Sequence, residues 1–190
     1  MMEQLSDEAL MSAVMSGKST ALAMLVERYH SPLLGYTYRL VGGDRPLAED
    51  IVQETFLHIL QKSGYQAGRP FKPWLYAIAT NLVRDHFKSA VVRRVVSQDS
   101  NEELARQEYA TAGNPELALS NLEQGYEIAA ALSRLGEEYR VALMLRFYHG
   151  LSLQEIADVL RIPLGTVKSR LSVGTHRLRD LLKFLKEGVE

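Results

Sequence analysis

LSLQEIADVLRIPLGTVKSRLSVGTHRLRDLL, residues Leu151–Leu182, is the stretch from which the fold is read. Ser152 followed by Glu155 forms a capping box, and Ile156, Ala157, Val159 and Leu160 continue at helical spacing. This first helix is expected to run for about two turns. Arg161 and Ile162 make a turn, and Pro163 suits the first position of the next helix, where a missing N–H is no loss. In that second helix Leu164, Val167, Leu171, Leu178 and Leu182 recur on one side and are expected to be buried. Thr166, Lys168, Ser169, Arg170, Ser172, Val173, His176 and Arg177 remain outward. Cationic side chains read guanine edges or hold phosphates, and short hydroxyls let a backbone come close. Two short helices around a tight turn, the second so decorated, have the geometry of a helix-turn-helix. The competing reading is a solvated cationic helix end, since any last turn attracts Lys and Arg.

Charge partitions the 190 residues around this element. Lys and Arg against Asp and Glu number 11 and 9 over residues 1–96, 1 and 7 over 97–133, and 10 and 7 over 134–190. The net charge of -1 thus hides an acidic middle between two mildly basic ends. Its sequence, SQDSNEELARQEYATAGNPELA, is polar and closes on Gly113, Asn114 and Pro115, so Ser97–Leu119 is expected to be a linker between two lobes. Cysteine is absent, which excludes disulfides and thiolate zinc sites. Apolar residues repeat every three or four positions almost throughout and strand alternation is missing, so the expected class is all-α. The start, MMEQLSDEAL, has no basic stretch followed by an apolar run, and no segment has the length to span a bilayer. A cytoplasmic protein without membrane insertion is expected.

In the first lobe four helices are expected, about Ser6–Ser16, Ser19–Leu40, Arg45–Lys62 and Phe71–Val96. The third divides cleanly. Ile51, Val52, Thr55, Phe56, Ile59 and Leu60 fill one half of the helical wheel, and Asp50, Gln53, Glu54, Leu57, His58 and Gln61 fill the other. Leu57 is the exception on that polar half: either a solitary exposed leucine, which is common, or the centre of a protein contact with a polar rim. The fourth helix begins after Pro70 and is expected to bury Phe71, Trp74, Leu75, Ile78, Ala79 and Leu82. Its other face presents Ala77, Thr80, Asn81, Arg84 and Lys88, a row that fits a nucleic-acid surface, although such a face taken alone is more often merely solvated. Between these helices Ser63–Arg69, SGYQAGR, is a loop in which Tyr65 is placed to hold an unstacked base, while Trp74 is assigned to the core.

Catalysis and metal binding find little support. Asp50, Glu54 and His58 stand four residues apart, and Glu27 with His30 makes one Glu-x-x-His, but a di-metal bundle needs two such pairs. Nucleophile elbows and phosphate loops are missing, so neither an enzyme, a metal nor a cofactor is expected.

Together these segments resemble the sigma-70 family, specifically the small extracytoplasmic-function (ECF) sigma factors of bacterial RNA polymerase. AEDIVQETFLHIL (Ala48–Leu60) and FKPWLYAIATNLVRDHFK (Phe71–Lys88) look like parts of the sigma-2 domain. LSRLGEEYRVALMLRFYHGLSLQEIADVLRIPLGTVKSRL (Leu132–Leu171) looks like the sigma-4 domain. The resemblance implies a sigma-2 domain over 1–96, an acidic linker over 97–119 and a sigma-4 domain over 120–190. It implies that Asp50, Gln53, Glu54 and Leu57 meet core RNA polymerase. It further implies that the loop with Tyr65, Gln66 and Arg69 takes a flipped base of the minus-10 element, while Thr80, Asn81, Arg84 and Lys88 line the separating strands. Lys168, Ser169, Arg170 and Ser172 would read the minus-35 element in the major groove, flanked by Thr166, His176 and Arg177, with Arg146 on a phosphate. Promoter DNA and, as in many family members, an anti-sigma factor are the further partners implied. This chain departs from the family pattern at Val173 and Thr175, where basic residues are common, and at Gly136, where proline is common. Gly174 is expected to loosen the recognition helix by about 1 kcal/mol relative to alanine. A free-standing helix-turn-helix regulator, its first lobe binding an effector or dimerising, is the alternative.

Overall fold

Three helices of the first unit begin where the sequence supplies an acceptor or a stiff backbone; the second, preceded by Lys18, has no side-chain cap. The computed structural model describes residues 5–61, 64–96 and 128–187, and every regular element among them is helical. The chain divides into two compact units. In the first, α1 (Asp7–Met15) is capped by Ser6, whose side chain accepts from the Ala9 amide at 3.2 Å. The next helix, α2 (Ser19–Leu40), carries the longest described apolar seam of this unit, with Ala21, Leu25, Tyr29, Leu33, Tyr36 and Leu40 buried. Asp44 caps α3 (Arg45–Leu60) by accepting from the Leu47 amide at 3.0 Å, with Pro46 in the first turn. The fourth, α4 (Phe71–Val96), follows Pro70. The helix spans expected from the sequence therefore lie within two residues of those observed.

Two apolar assignments and one helical phase differ from expectation. Leu60, placed on the buried half of α3, is 51% exposed, while Ile51, Val52, Thr55, Phe56 and Ile59 are buried. It sits in the last turn of α3, where the chain turns away from the helices beneath. In α4 the buried line is Phe71, Leu75, Tyr76, Ala79, Thr80 and Val83; Trp74, Ile78 and Leu82 are only half-buried. The rotation follows from Tyr76 and Thr80. The Tyr76 ring meets the Tyr36 ring edge-on at 5.1 Å, and the Tyr36 and Thr80 hydroxyls share a hydrogen bond of 2.8 Å. Thr80 also donates to the Tyr76 carbonyl at 2.6 Å. A buried hydroxyl pair is stable because each group finds a partner, so α4 turns the tyrosine and threonine inward.

The second unit contains α5 (residues 128–133), α6 (Glu137–Leu143), α7 (Leu153–Leu160) and α8 (Leu164–Glu187). Helix α6 runs on into a wider turn, Met144–Tyr148, in which the His149 amide bonds the Met144 carbonyl five residues back at 3.1 Å. Leu132, Leu135 and Leu143 form a buried cluster against which Ile128, Leu171, Leu178 and Leu181 pack. Gly174 is buried in α8, and a Cβ there would stand 3.2 Å from both Leu143 Cδ1 and Tyr139 Cβ. The residue expected merely to loosen the helix is what lets α8 lie against α6. Leu164, expected on the buried side, is 36% exposed in the first turn of α8. The expected linker, 97–119, lies outside the described residues.

Candidate nucleic-acid and protein interfaces

The helix-turn-helix is closed by hydrogen bonds at each joint. Ser152 accepts from the Glu155 amide at 3.2 Å while the Glu155 carboxylate accepts from the Ser152 amide at 2.7 Å, completing the capping box. Arg161 ends α7 in the left-handed region (φ 54°, ψ 47°), and the Ile162 amide bonds back to the Ala157 carbonyl at 3.1 Å. The Pro163 carbonyl then accepts from Thr166 and Val167, starting α8. A non-glycine residue in that backbone conformation is held there by the elements on both sides, which fixes the angle of the turn.

With about 3.6 residues per turn, Ser169, Ser172 and His176 lie opposite the packed line of buried Val167 and Gly174 and half-buried Leu178. Lys168 is exposed on one flank; Thr166 and Arg170 are half-buried toward the other. Ser169, Ser172 and His176 share this face with Lys168 beside them, whereas Arg170 turns toward the packed side of the helix. Two expected contributors are partly engaged elsewhere. The Arg177 guanidinium lies 4.6 Å over the Tyr139 ring of α6, and His176 Nε2 is 3.5 Å from Asp180. Arg146, assigned to a phosphate, donates from Nη1 to the Leu151 carbonyl at 2.8 Å, so it ties the end of the wider turn to the start of the helix-turn-helix. Its side chain nonetheless remains exposed.

In the first unit two expected nucleic-acid contacts are corrected. Thr80 is 1% exposed and bonded to Tyr36, so it is core and offers nothing to a strand. Tyr65 is 7% exposed, with its ring edge-on to Trp74 at 4.9 Å and to Phe71 at 6.3 Å. Its hydroxyl donates to the Arg69 carbonyl at 2.7 Å, and the Arg69 amide bonds the Gln66 carbonyl at 3.1 Å. Burial pushes the Tyr65 hydroxyl above its ordinary pKa, assisted by the negative charges of Glu8 and Asp7. Tyr65 is therefore the floor of the loop, not a free stacking platform. Gln66 and Arg69 are exposed, and along α4 Asn81 and Arg84 are half-buried and Lys88 exposed.

The polar half of α3 is as the sequence places it. Asp50, Gln53 and Glu54 are exposed, Leu57 is 47% exposed, and with His58 and Gln61 they line a shallow groove of about 350 Å³. Beside it a second groove of about 530 Å³ runs between α2 and α3, reached by Leu22, Val26, Leu34, Phe56, Leu57 and Leu60. Leu57 lines both grooves and so joins an acidic-amide rim to an apolar trough that Leu60 also lines, the composition of a protein contact. Sequence reasoning missed Leu60, because periodicity assigns it to the core. It also passed over Phe147 and Tyr148, 68% and 52% exposed ahead of the helix-turn-helix. Their adjacency was the available signal, since two neighbouring aromatic residues cannot both enter one helical seam.

A helix-turn-helix with a hydroxyl and cationic outer face, in a chain whose other unit exposes acidic and amide side chains around a leucine, has the make-up of a helical DNA-binding protein. Residues 25–92 match the family described as Sigma-70 region 2, and residues 126–174 match Sigma-70, region 4. The ECF RNA polymerase sigma factor SigW of Bacillus subtilis is 33% identical over 177 residues, 90% of this chain and 94% of that protein. The RNA polymerase sigma-H factor of Pseudomonas aeruginosa is 31% identical over 176 residues, 90% of this chain and 91% of its own. Among solved structures, CnrH in complex with the cytosolic domain of CnrY is similar with a TM-score of 0.67 at 25% identity, over 93% of this chain and 97% of that one. The sigma factor RpoE in complex with the anti-sigma factor NepR from Bartonella quintana shares the fold, with a TM-score of 0.69 at 24% identity over 85% and 96% of the chains.

The chain belongs to the sigma-70 family, in its ECF branch. It is a sigma factor that directs transcription initiation, and core RNA polymerase binding and promoter recognition are typical of that family. The family is a non-enzymatic, DNA-binding one. No described helix is long and apolar enough to cross a membrane.

Proposed function

We propose that the first unit docks on core RNA polymerase through Asp50, Gln53, Glu54 and Leu57 and holds the opened minus-10 element, while α8 of the second unit reads the minus-35 element. The observation that carries this reading is the face of α3: exposed charged and amide side chains surround an exposed leucine, the make-up of a protein contact with a polar rim. Gln66 and Arg69 on the loop receive the extruded base, and Asn81, Arg84 and Lys88 follow the separated strand. Thr80 and Tyr65 support these residues from beneath. Extruding a base costs a few kcal/mol of stacking, offset when the single strand is captured, so opening needs no nucleotide hydrolysis. In the second unit Lys168, Ser169, Arg170 and Ser172 meet base edges, and Thr166, His176, Arg177 and Arg146 bear on the backbone. The domains run over 1–96 and 120–190, with the acidic stretch 97–119 spacing them.

The protein works in the cytoplasm, carries out no chemistry of its own and needs no cofactor. RpoE is solved with the anti-sigma factor NepR, and CnrH with the cytosolic domain of CnrY, which supports an anti-sigma partner for this chain. Photo-crosslinking tests the assignment. A photoreactive residue at Gln66 in the holoenzyme is expected to label the non-template strand of the minus-10 element, and one at Ser169 the minus-35 duplex. Labelling of the same DNA by Ser169 without core polymerase, at equal efficiency, would instead support a free-standing regulator.

A further inference from the structure

The start of α4 has no cap of its own. Residue 70 is proline, which offers neither a side-chain acceptor nor an N–H, so the first amide of the helix, Phe71, must find its acceptor elsewhere. It donates to Glu8 Oε1 at 3.0 Å, from a helix 63 residues earlier. Neighbouring Asp7 accepts hydrogen bonds from Arg28 and from the Tyr29 hydroxyl, fixing α1 on α2. Tyr29 in turn meets the Phe71 ring edge-on at 5.5 Å, and Phe71 meets Tyr65, whose hydroxyl holds the Arg69 carbonyl. The first turn of α1 therefore reaches the loop by two routes, one through a backbone amide and one through a row of rings. A carboxylate at this place also meets the positive end of the α4 dipole.

From this geometry we infer that Glu8 is a positioning residue for promoter opening: as the cap of α4 supplied from α1, it holds Gln66 and Arg69 in the conformation that receives the extruded base. The inference rests on the proposed role of that loop. Glu8 lies before residue 25, where the match to the family begins, and it touches no DNA itself in this reading. What the site requires is an acceptor at the reach of a glutamate side chain, so glutamine replaces it and a shorter carboxylate does not.

The test has a structural and a functional arm, both on the full chain. Hydrogen exchange at the Phe71 amide is expected to rise about tenfold in Glu8→Ala and Glu8→Asp and to change less than about threefold in Glu8→Gln. With core polymerase, permanganate reactivity of unpaired thymines is followed on a promoter fragment selected by the wild-type holoenzyme from genomic DNA. Glu8→Ala and Glu8→Asp are expected to slow opening about three- to tenfold with core affinity unchanged, and Glu8→Gln to open at the wild-type rate. Equal loss in Glu8→Gln and Glu8→Ala would overturn the acceptor role. So would wild-type opening in Glu8→Asp with Phe71 exchange raised. Gln66→Ala with Arg69→Ala separates the layers: if that pair slows opening and Glu8→Ala does not, the inference fails alone, whereas normal opening by the pair removes the loop's role and the inference with it.

Discussion

Gly174→Ala sets helix propensity against packing in the recognition helix, and the structure decides the winner. In an isolated helix the change is favourable by about 1 kcal/mol. Here the new methyl would lie 3.2 Å from Leu143 Cδ1 and 3.2 Å from Tyr139 Cβ, inside ordinary carbon contact. The leucine methyl can rotate aside. Tyr139 Cβ is attached directly to the α6 backbone, so relief there requires α6 and α8 to separate and loosens the Leu143, Leu171 and Leu178 contacts between them. Overpacking of this kind costs about 1–3 kcal/mol, which leaves a net destabilisation of about 0–2 kcal/mol for alanine and more for Gly174→Val. Thermal unfolding of the full chain measures it by circular dichroism, while fluorescence of the single tryptophan, Trp74 on α4, follows the first unit as an internal control. For a domain of this size 1 kcal/mol moves the midpoint by about 4–8 °C, so Gly174→Ala is expected to leave the second unit's midpoint unchanged or lower it by up to about 15 °C. The fluorescence midpoint stays fixed. A rise of about 4–8 °C on alanine substitution would mean that the propensity gain is realised in full and that α6 and α8 are not in tight contact at this residue.

Glu54→Lys combined with Leu57→Ala reverses an exposed charge and removes an exposed apolar group from α3, and is expected to weaken core polymerase binding by about 2 kcal/mol, read by titration of labelled core. The same double variant should hold the Trp74 unfolding midpoint to within about 0.5 kcal/mol of stability, since neither side chain is buried. Arg170→Ala is expected to cost about 1–3 kcal/mol of promoter affinity and to relax preference at one base pair of the minus-35 element, measured by competition among single-base variants. Stability against pH follows from Glu8, Tyr29, Tyr65 and Tyr76. The Phe71 amide lowers Glu8 below its ordinary 4.5, so its contribution is present above that pH and is lost as pH falls through the lowered value, and Glu8→Gln flattens this acid limb. Burial raises Tyr29, Tyr65 and Tyr76 above their ordinary 10.0, so the stabilisation they give is present below pH 10 and is lost as pH rises beyond it. Tyr76→Phe should make Trp74 fluorescence less sensitive to alkali.

Much of this architecture was legible because its signals are local. A Ser152–Glu155 capping box, an Asp44 cap and helical spacing of leucines each act within one or two turns, and the expected helices emerged with nearly their observed ends. The polar half of α3 was equally legible, since 3.6-residue periodicity separates Asp50, Gln53, Glu54 and Leu57 from their buried neighbours without reference to any other helix. What was not legible depended on partners far along the chain. Thr80 reads as a small polar residue on an open face until Tyr36 supplies a buried hydroxyl to pair with it. Tyr65 reads as a free ring until Phe71 and Trp74 close over it. Gly174 reads as a weak point in a helix until Tyr139 and Leu143 occupy the space a side chain would need. Glu8 reads as an ordinary acidic residue in a first helical turn, because nothing in sequence connects it to the uncapped amide at Phe71.

In the reading proposed above, this chain recognises promoters as part of a polymerase holoenzyme. The most direct measurement is run-off transcription with purified core polymerase on fragments of the source genome. Transcripts with discrete start points are expected that require both core and this chain, and that disappear with the Glu54→Lys, Leu57→Ala variant. Tight, sequence-specific duplex binding by the chain alone, with no core-dependent start on any fragment, would contradict it.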